Sequence, residues 1–550
     1  MQKIIECVPN FSEGRDMNII KQITDAIESV DGIKLLNVDP GKGTNRTVVT
    51  FVGDEKTVVE AAYRGIAKAA ELIDMRRHSG AHPRFGATDV CPFIPIANAT
   101  MEDCIACANE LGNRVGNQLN IPVYLYEFAA TSAHRKNLAS VRAGEYEGIA
   151  EKIKLPDWKP DYGKAEWNEK SGNIAIGARN FLIAYNVNLN TTSTRRANSV
   201  AFDVREQGRK VKDIKGVETV QPGSCKAVKG IGWFIPEYGV AQVSMNLTDI
   251  QATPVHKVFD ECVKSAHNRG MRVTGSELIG LIPLQSMLDA GKYFLEKQQR
   301  SRGVSDDELI KLAVKSMGLD ELVPFEPSKR IIEYMLEDSS SSPLINLNLK
   351  QFANETASES PAPGGGSIAA YVGALGISLA TMVANLSSHK KGWDERWKEF
   401  SDYAEKGQQL KDQLIKLVDE DTRAFNRIMD VFGLPKSNET EKTERQRAIQ
   451  SATKNAIEVP LKVMQLSYQS MDLIKSMAEI GNPNSVSDAG VGALCARAAV
   501  YGAYLNVKIN AASYTDKIYV ENVLLQANDL LTKANKLEAD ILNTVEQKIK

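Results

Sequence analysis

The sequence predicts a multidomain chain in which two α/β subdomains are followed by an all-α helical bundle. Three observations predict it. The chain has 550 residues, and at roughly 100 to 200 residues per domain that length calls for about three or four domains. Strand-like and helix-like patterns alternate through residues 1–330. From Gly366 onward the alternation stops, and only long segments with a 3.6-residue period remain.

In order along the chain, Lys3 to Val8, Ile33 to Val38, Arg46 to Val52 and Val123 to Phe128 read as strands, short aliphatic or β-branched runs bounded by turn residues. Glu55 to Ile73 and Met101 to Leu119 carry the helical period between them. A second cycle opens with FLIAYNVNL at Phe181 and passes through a helical stretch near Ala197 to Gln207. The strands Gly230 to Ile235 and Ala241 to Leu247 follow, then helices near Val255 to Ala266 and Pro283 to Leu295. The order strand, helix, strand, strand, helix thus recurs, as if two similar units met near residue 180, without sequence identity between them. EDSSSSP at Glu337 to Pro343 joins a serine run to a proline, a composition that separates domains. Beyond it, helices are expected over Trp393 to Phe432, Lys442 to Met477, Val486 to Asn510 and Asp516 to Ile549. The expected domains are 1–180, 181–326, a linker over 327–343, and 344–550.

Composition excludes several classes. Hydrophobic residues make up 43% and charged residues 25%, near the averages for globular proteins and far from disordered or collagen-like chains. With 67 Lys+Arg against 69 Asp+Glu, net charge −2, charge gives no sign of a nucleic-acid partner. Glu6 and Pro9 fall where a signal peptide would need an apolar core. Ser367 to Leu386 is an uncharged stretch long enough to span a bilayer, but Ala, Gly, Ser and Thr dominate it, which points to a buried helix. Seven scattered cysteines suit a reducing cytosol. Cys104 and Cys107 have no second pair, and no HExxH occurs, so no metal is expected.

Four motifs couple polar residues to strand ends: ECVPNFSEGR at Glu6, NVDPGKGTNRT at Asn37, MRRHSGAHPRFGATDV at Met75 and GNIAIGARNFLIAYNVNL at Gly172. The glycine spacing of GKGTNRT does not fit a phosphate-binding P-loop. His78 and His82, two of six histidines, share a Gly- and Pro-rich loop with Arg76, Arg77, Arg84 and Asp89. Such loops carry sites as often as they carry merely exposed side chains. Gly80 and Pro83 argue against a helix that would bring both histidines to one metal. In the helical half, Leu414, Leu417, Val418, Phe425, Ile428 and Met429 form one stripe that includes Asp421, with Asp419 and Glu420 off it. A carboxylate aimed at an apolar surface must either pair with a cation or have a raised pKa; a structural buried aspartate and a general acid/base both fit. Small residues crowd GGGSIAAYVGALG and GVGALCARAAVYGAY, allowing close helix approach or room for a ligand.

VPNFSEGR, DPGKGTNRTVVTFVGD, HSGAHPRFGATDVCPFIP and GARNFLIAYNVNL, in this order and followed by PAPGGGSIAA and SDAGVGAL, resemble the formimidoyltransferase-cyclodeaminase family over nearly the whole chain. The resemblance implies ferredoxin-like βαβ subdomains in the first half. It also implies transfer of a formimino group from N-formiminoglutamate to tetrahydrofolate there, then ring closure to 5,10-methenyltetrahydrofolate with release of ammonia in the helical half. His82 matches the family's catalytic histidine within HSGAHPRFG, and Asp421 its cyclodeaminase acid/base within LVDxD. Asp39 is expected to orient the histidine or the amidine, and Arg46, Arg84 and Arg179 to hold substrate carboxylates, against the alternative of surface ion pairs. Family folate contacts fall in the span Gly163 to Gly172. The charged GKAEWNEKSG found here departs from the Ser- and Pro-richer versions, although Trp167 offers a stacking surface. Gly365 and Ser367 are expected to receive folate carboxylates at a helix N-terminus, with Asn482, Ser487 and Asp488 in the same pocket. A polyglutamylated tetrahydrofolate co-substrate, a cytoplasmic location and a ring-shaped homo-octamer also follow from the resemblance. The competing readings are a helical half that only assembles chains, or one that acts as a methenyltetrahydrofolate cyclohydrolase.

Overall fold

The computed structural model describes residues 3–42, 44–80, 84–212, 218–336 and 343–549. Its contacts divide the chain into two units, Met1–Ser286 with Met317–Leu336, and Met287–Ser316 with Glu337–Lys550. The first unit carries the mixed β-sheet subdomains and the second is all-α.

In the first subdomain Lys34–Gly41 forms an edge strand against Arg46–Gly53. The short strands Ile4–Cys7 and Asn10–Phe11 lie successively between Arg46–Gly53 and Thr88–Ala97, all antiparallel. Ile174–Ala178 continues the sheet parallel to Thr88–Ala97, and Val123–Glu127 runs parallel beside it. Residues opposite one another in register share a face. Ile5, Cys7, Phe51 and Phe93 therefore point one way, into a core with the helices Met17–Glu28, Glu55–Leu72 and Met101–Gln118. Glu6, Asn10, Arg46, Val90, Pro92 and Tyr126 point the other way. On that second face Tyr126 lies across Gly177, where a Cβ would come within 2.6 Å of its ring.

The second subdomain runs strand Ile183–Leu189, helix Thr194–Val204, strands Val228–Ile235 and Val240–Leu247, helix Val255–His267 and strand Val273–Ile279. Its four strands are antiparallel in the order Val228–Ile235, Val240–Leu247, Ile183–Leu189, Val273–Ile279. The two-stranded pair Arg209–Lys212 and Glu218–Gln221 is an addition that periodicity did not indicate. The serine run expected to be a linker lies outside the described residues, apart from Pro343. Residues 327–336, assigned to that linker from sequence, instead form two short helices of the first unit. Ile331 and Ile332 there are fully buried, and Ile331 bridges to Ile282.

The second unit is built on Gly365–Ser388, Trp397–Phe432, Glu439–Ile480, Val486–Ala511 and Lys517–Lys548. Gly365–Ser388 is long and apolar enough by length and composition to cross a membrane, with mean hydropathy 1.8, and 61% of that stretch is buried inside the unit. Its small residues work in close approach: a Cβ at Gly376 would stand 2.9 Å from the Gly492 carbonyl of Val486–Ala511. Residues 287–316, placed in the second α/β subdomain from sequence, pack with this unit. Arg302 pairs with Asp402 at 2.7 Å, and the amides of Asn385 and Gln408 both donate to the Gly303 carbonyl, at 2.8 and 3.1 Å.

Two expectations for Trp397–Phe432 need correction. The apolar stripe is fully buried only at its start: Leu414, Leu417 and Val418 are in the core and Ile428 packs partly buried against it, whereas Phe425 and Met429 are 40% and 56% exposed. Asp419, expected off the stripe, is 2% exposed and accepts hydrogen bonds from the backbone N–H of Leu344 (2.9 Å) and Ile345 (3.3 Å). Its carboxylate satisfies amides of the strand-less segment before Leu349–Thr356, a demand that helical periodicity does not reveal. Asp419→Ala is expected to lower the stability of the helical unit by about 1–3 kcal/mol, since two amides lose their acceptor. Chemical denaturation compared with a substitution at the exposed Glu420 checks this.

Candidate active sites

Three of the four polar motifs meet at one end of the first sheet. Asn45, in the left-handed region at φ 49°, accepts from Gly14 N–H through Oδ1 and donates to the Ser79 carbonyl through Nδ2. Gly80 packs so closely on the Thr44 carbonyl that a side chain there would collide with it. His78 is tied into this knot, its Nε2–H donating to the Asn45 carbonyl at 2.8 Å, and burial pulls its pKa down. A neutral, hydrogen-bonded imidazole in this position organises the loop. His82 lies outside the described residues, which resume at Arg84.

Beside this knot, a cleft of about 540 Å³ runs between the two subdomains. Asn10, Arg46, Tyr126, Arg142 and Arg179 line it from one side, and Leu182, Lys229, Thr248 and Asp249 from the other. Asp89, fully buried, anchors two of the arginines: Arg46 Nη2 donates to its Oδ2 at 3.0 Å, and Arg142 donates through Nε to Oδ1 at 3.1 Å and through Nη2 to Oδ2. Arg46 Nε is buried without a hydrogen-bond partner. Burial lowers the pKa of Arg46; Asp89 opposes this and Arg142 adds to it. Glu6 lies 3% exposed on the same sheet face. Burial pushes it up to about 7, with Arg179 holding it back and Glu333 adding to the rise.

The expected residues therefore divide. Arg46 and Arg179 share the cleft. Arg84 does not join them: it pairs with Glu147 and lies 5.8 Å from the Tyr146 ring, which in turn stands 5.9 Å from Trp167. Arg84 and Trp167 are thus connected through Tyr146. Asp39 is exposed on the edge strand. Gly172 bridges to Gly86, whereas Gly163 sits against Gly116 of Met101–Gln118; both have positive φ and positions where a Cβ would press on neighbouring backbone. Backbone geometry thus accounts for both glycines. Asp89 was picked out only as a member of the His78 loop, and Arg142 not at all, because the two lie 53 positions apart with no shared pattern.

In the helical unit, Asp421 meets the N-terminus of Gly365–Ser388. Ser367 Oγ is 3.1 Å from Asp421 Oδ2, 3.2 Å from Thr422 Oγ1 and 2.8 Å from the Val418 carbonyl. The glycine that permits this approach is Gly366, where any side chain would occupy the Asp421 carboxylate; the expected Gly365 is exposed and faces Asn506. Burial raises the Asp421 pKa, and hydrogen bonds from the Ser367 side chain and backbone hold it back. Among the described residues no ion pair to Asp421 is present, which fits the raised-pKa arrangement rather than the paired one. The Ser367 amide expected to receive a folate carboxylate is taken by Asp421 itself.

Asn482 and Asp488 do not share this pocket within one chain. Asn482 N–H donates to Ser387 Oγ at 2.8 Å, at the opposite end of the helix, and the 20 residues from Ser367 to Ser387 span about 30 Å. Among the described residues no group of three or more metal-ligating side chains assembles.

Three family models match the chain: the formiminotransferase domain, N-terminal subdomain over residues 4–179, the formiminotransferase domain over 184–337, and formiminotransferase-cyclodeaminase over 348–529. The chain is 41% identical over 547 residues to a formimidoyltransferase-cyclodeaminase of Rattus norvegicus, covering 99% of each. It is 44% identical over 295 residues to a glutamate formimidoyltransferase of Thermoplasma acidophilum, covering 53% of this chain and 92% of that one. It is 38% identical over 204 residues to a methenyltetrahydrofolate cyclohydrolase of Methylorubrum extorquens, covering 37% of this chain and 98% of that one.

The raised Asp421 pKa has a definite sign. A carboxyl whose folded pKa exceeds its unfolded value contributes stability below the ordinary range near pH 3.9, and that contribution is lost as pH rises through the folded value. Asp421→Asn is therefore expected to be more stable than the parent chain at pH 8, with the gap closing in acid, as thermal melts at several pH values will show. Ser367→Ala removes a bond to the ionised form and should move the acid limb of any activity of this site to higher pH.

Proposed function

The chain belongs to the formimidoyltransferase-cyclodeaminase family, and on that premise we propose how its two sites divide the chemistry. The protein is a bifunctional transferase and cyclodeaminase that acts on formiminoglutamate and tetrahydrofolate, a step of histidine degradation and one-carbon metabolism. The observation that carries this reading is identity sustained end to end with bifunctional relatives, joined to the Asp421 carboxyl seated against Gly366 and Ser367 at a helix N-terminus.

In the first half, N5 of tetrahydrofolate attacks the formimino carbon, a tetrahedral intermediate forms, and glutamate leaves as an amine. Protons must move at both nitrogens, work suited to an imidazole titrating near neutrality, and we assign it to His82. Asp39 orients it or the amidine. Arg46 and Arg179 hold substrate carboxylates in the cleft, and Arg84 approaches the folate through Tyr146 and Trp167. Gly163, Trp167 and Gly172 bound the folate span, Trp167 with its 39% exposed ring stacking on a pterin or benzoyl group. In the helical half, N10 attacks the same carbon and ammonia departs. Asp421 takes the N10 proton and returns it to the leaving nitrogen, positioned by Ser367 and the glycines 365 and 366. A role for Asn482 and Asp488 at that site would require a second chain.

The spatial order of the second sheet supports a ferredoxin-like βαβ reading for that subdomain. A homo-octamer, a cytoplasmic location and a polyglutamylated co-substrate complete the proposal. The long folate tail would stay bound near His389, Lys390 and Lys391 while the pterin end changes pockets. Lys390 Nζ now rests 4.0 Å over the Trp393 ring.

Purified protein given formiminoglutamate and tetrahydrofolate should release ammonia and develop the ultraviolet chromophore of methenylfolate. Ring closure and methenylfolate hydrolysis, assayed separately, distinguish a cyclodeaminase from a cyclohydrolase. His82→Ala is expected to reduce formimino transfer by about 100- to 10,000-fold while sparing ring closure of supplied 5-formiminotetrahydrofolate. His78→Ala should cost less. A loss below roughly tenfold would remove His82 from the role. Replacing Lys390 and Lys391 by Ala should release 5-formiminotetrahydrofolate during turnover, more with the pentaglutamate than with the monoglutamate, and high salt should mimic it. Unchanged release would leave free diffusion as the account.

A further inference from the structure

The charges around Asp89 do not balance. One fully buried carboxylate is shared by two guanidinium groups, Arg46 and Arg142, whose side chains are only 16% and 15% exposed. Asp89 spends both oxygens on them, Oδ1 on Arg142 and Oδ2 on both arginines. One positive charge is left over in a poorly hydrated wall, a costly arrangement unless an anion completes it. Donor capacity is left over too, since Arg46 Nε is buried and unpartnered, and a guanidinium presents five N–H donors in a fixed fork. Both arginines line the cleft between the subdomains; farther along it Arg179 and Lys229 face Glu127, with Asp249 also in the wall, so the uncompensated charge lies at the Arg46–Arg142 pair.

We propose that Arg46 and Arg142, set side by side by Asp89, form a two-arginine clamp that takes a carboxylate of the glutamyl portion of the formimino donor, with Asp89 as its positioning residue. The inference rests on the transferase reading of the cleft and deepens it. Fork geometry matches a planar carboxylate in two hydrogen bonds, and one incoming negative charge brings two guanidinium groups and two carboxylates to neutrality. Asp89 orients both forks from behind and, being fully buried, does not itself meet the ligand. A glutamate tail on the folate has the same carboxylate chemistry, so the two sources must be told apart.

The experiment uses the full chain with Arg142→Met, Arg142→Lys and Asp89→Asn, each assayed for transfer with the donor and the folate varied separately. Arg142→Met is expected to raise KM for N-formiminoglutamate by roughly tenfold or more, with kcat and the KM for tetrahydrofolate changed by less than about threefold. Arg142→Lys should rescue only part, because an ammonium is a point charge and not a fork. Asp89→Asn should raise the same KM, and isothermal titration with L-glutamate, the product amine, should weaken in parallel. Because Asp89 is buried, its variant risks misfolding; Arg142→Met at the cleft wall keeps the test open, with thermal melts and ring closure of supplied 5-formiminotetrahydrofolate as controls on folding. A rise confined to the KM for tetrahydrofolate, largest with the pentaglutamate, would overturn the assignment in favour of the folate tail. Unchanged constants for both substrates would overturn the clamp, while absence of transfer in the parent chain would instead overturn the transferase reading.

Discussion

The helical site depends on a missing side chain. Residue 366 has no Cβ, and into that space comes the carboxyl of Asp421. An alanine there would displace the acid from the helix N-terminus that its oxygens face. Hydrogen bonds from Ser367 favour the ionised form, and burial disfavours it. The balance leaves a carboxyl that holds its proton more tightly than a free aspartate. The same economy of side chains continues along the helix, where Gly376 and Gly492 let two backbones touch. Close approach leaves little freedom for the N-terminal turn to drift away from the acid.

The cleft of the α/β unit is organised by the opposite means, with charge rather than absence. Buried Asp89 and Glu6 share one sheet face with Arg46, and Arg179 and Arg142 come in from the flanking segments. That face would ordinarily be covered by apolar packing, as the helix-covered face is. Here it carries ionisable groups in a low-dielectric wall, where electrostatic interactions are stronger than in water. The knot of Asn45, His78 and Gly80 beside it is held by backbone carbonyls, so the loops that deliver polar groups are fixed to the sheet end.

The long helices were legible because a 3.6-residue period survives over many turns, and Asp421 was legible because a carboxylate breaks such a stripe. The stripe misled further on, where Phe425 and Met429 face outward, and periodicity could not show that Asp419 serves the amides of Leu344 and Ile345. Thr88–Ala97, the longest strand among the described residues, was read only through the motifs that run into it; it is an interior strand despite Pro92 and Pro95, which weaken its local signal. Proximity across the chain was the least legible feature. Nothing local links Asp89 to Arg142, and nothing local separates Asn482 from Ser367 along about 30 Å of helix.

The chain does not finish one unit before starting the next. Residues 287–316 pack with the helical unit, and 317–336 return to the α/β unit before the chain goes back for good. A single proteolytic nick in the serine run would therefore leave each fragment incomplete or carrying a piece of the other. During synthesis, the stretch holding Arg302 and Gly303 leaves the ribosome well before Asp402 and Gln408, the residues that bind it. It must wait without those partners while about 100 more residues are made, seconds at ordinary elongation rates. The transferase unit, by contrast, can close once Ile331 and Ile332 emerge, so the order of translation makes the α/β unit the earlier of the two to mature.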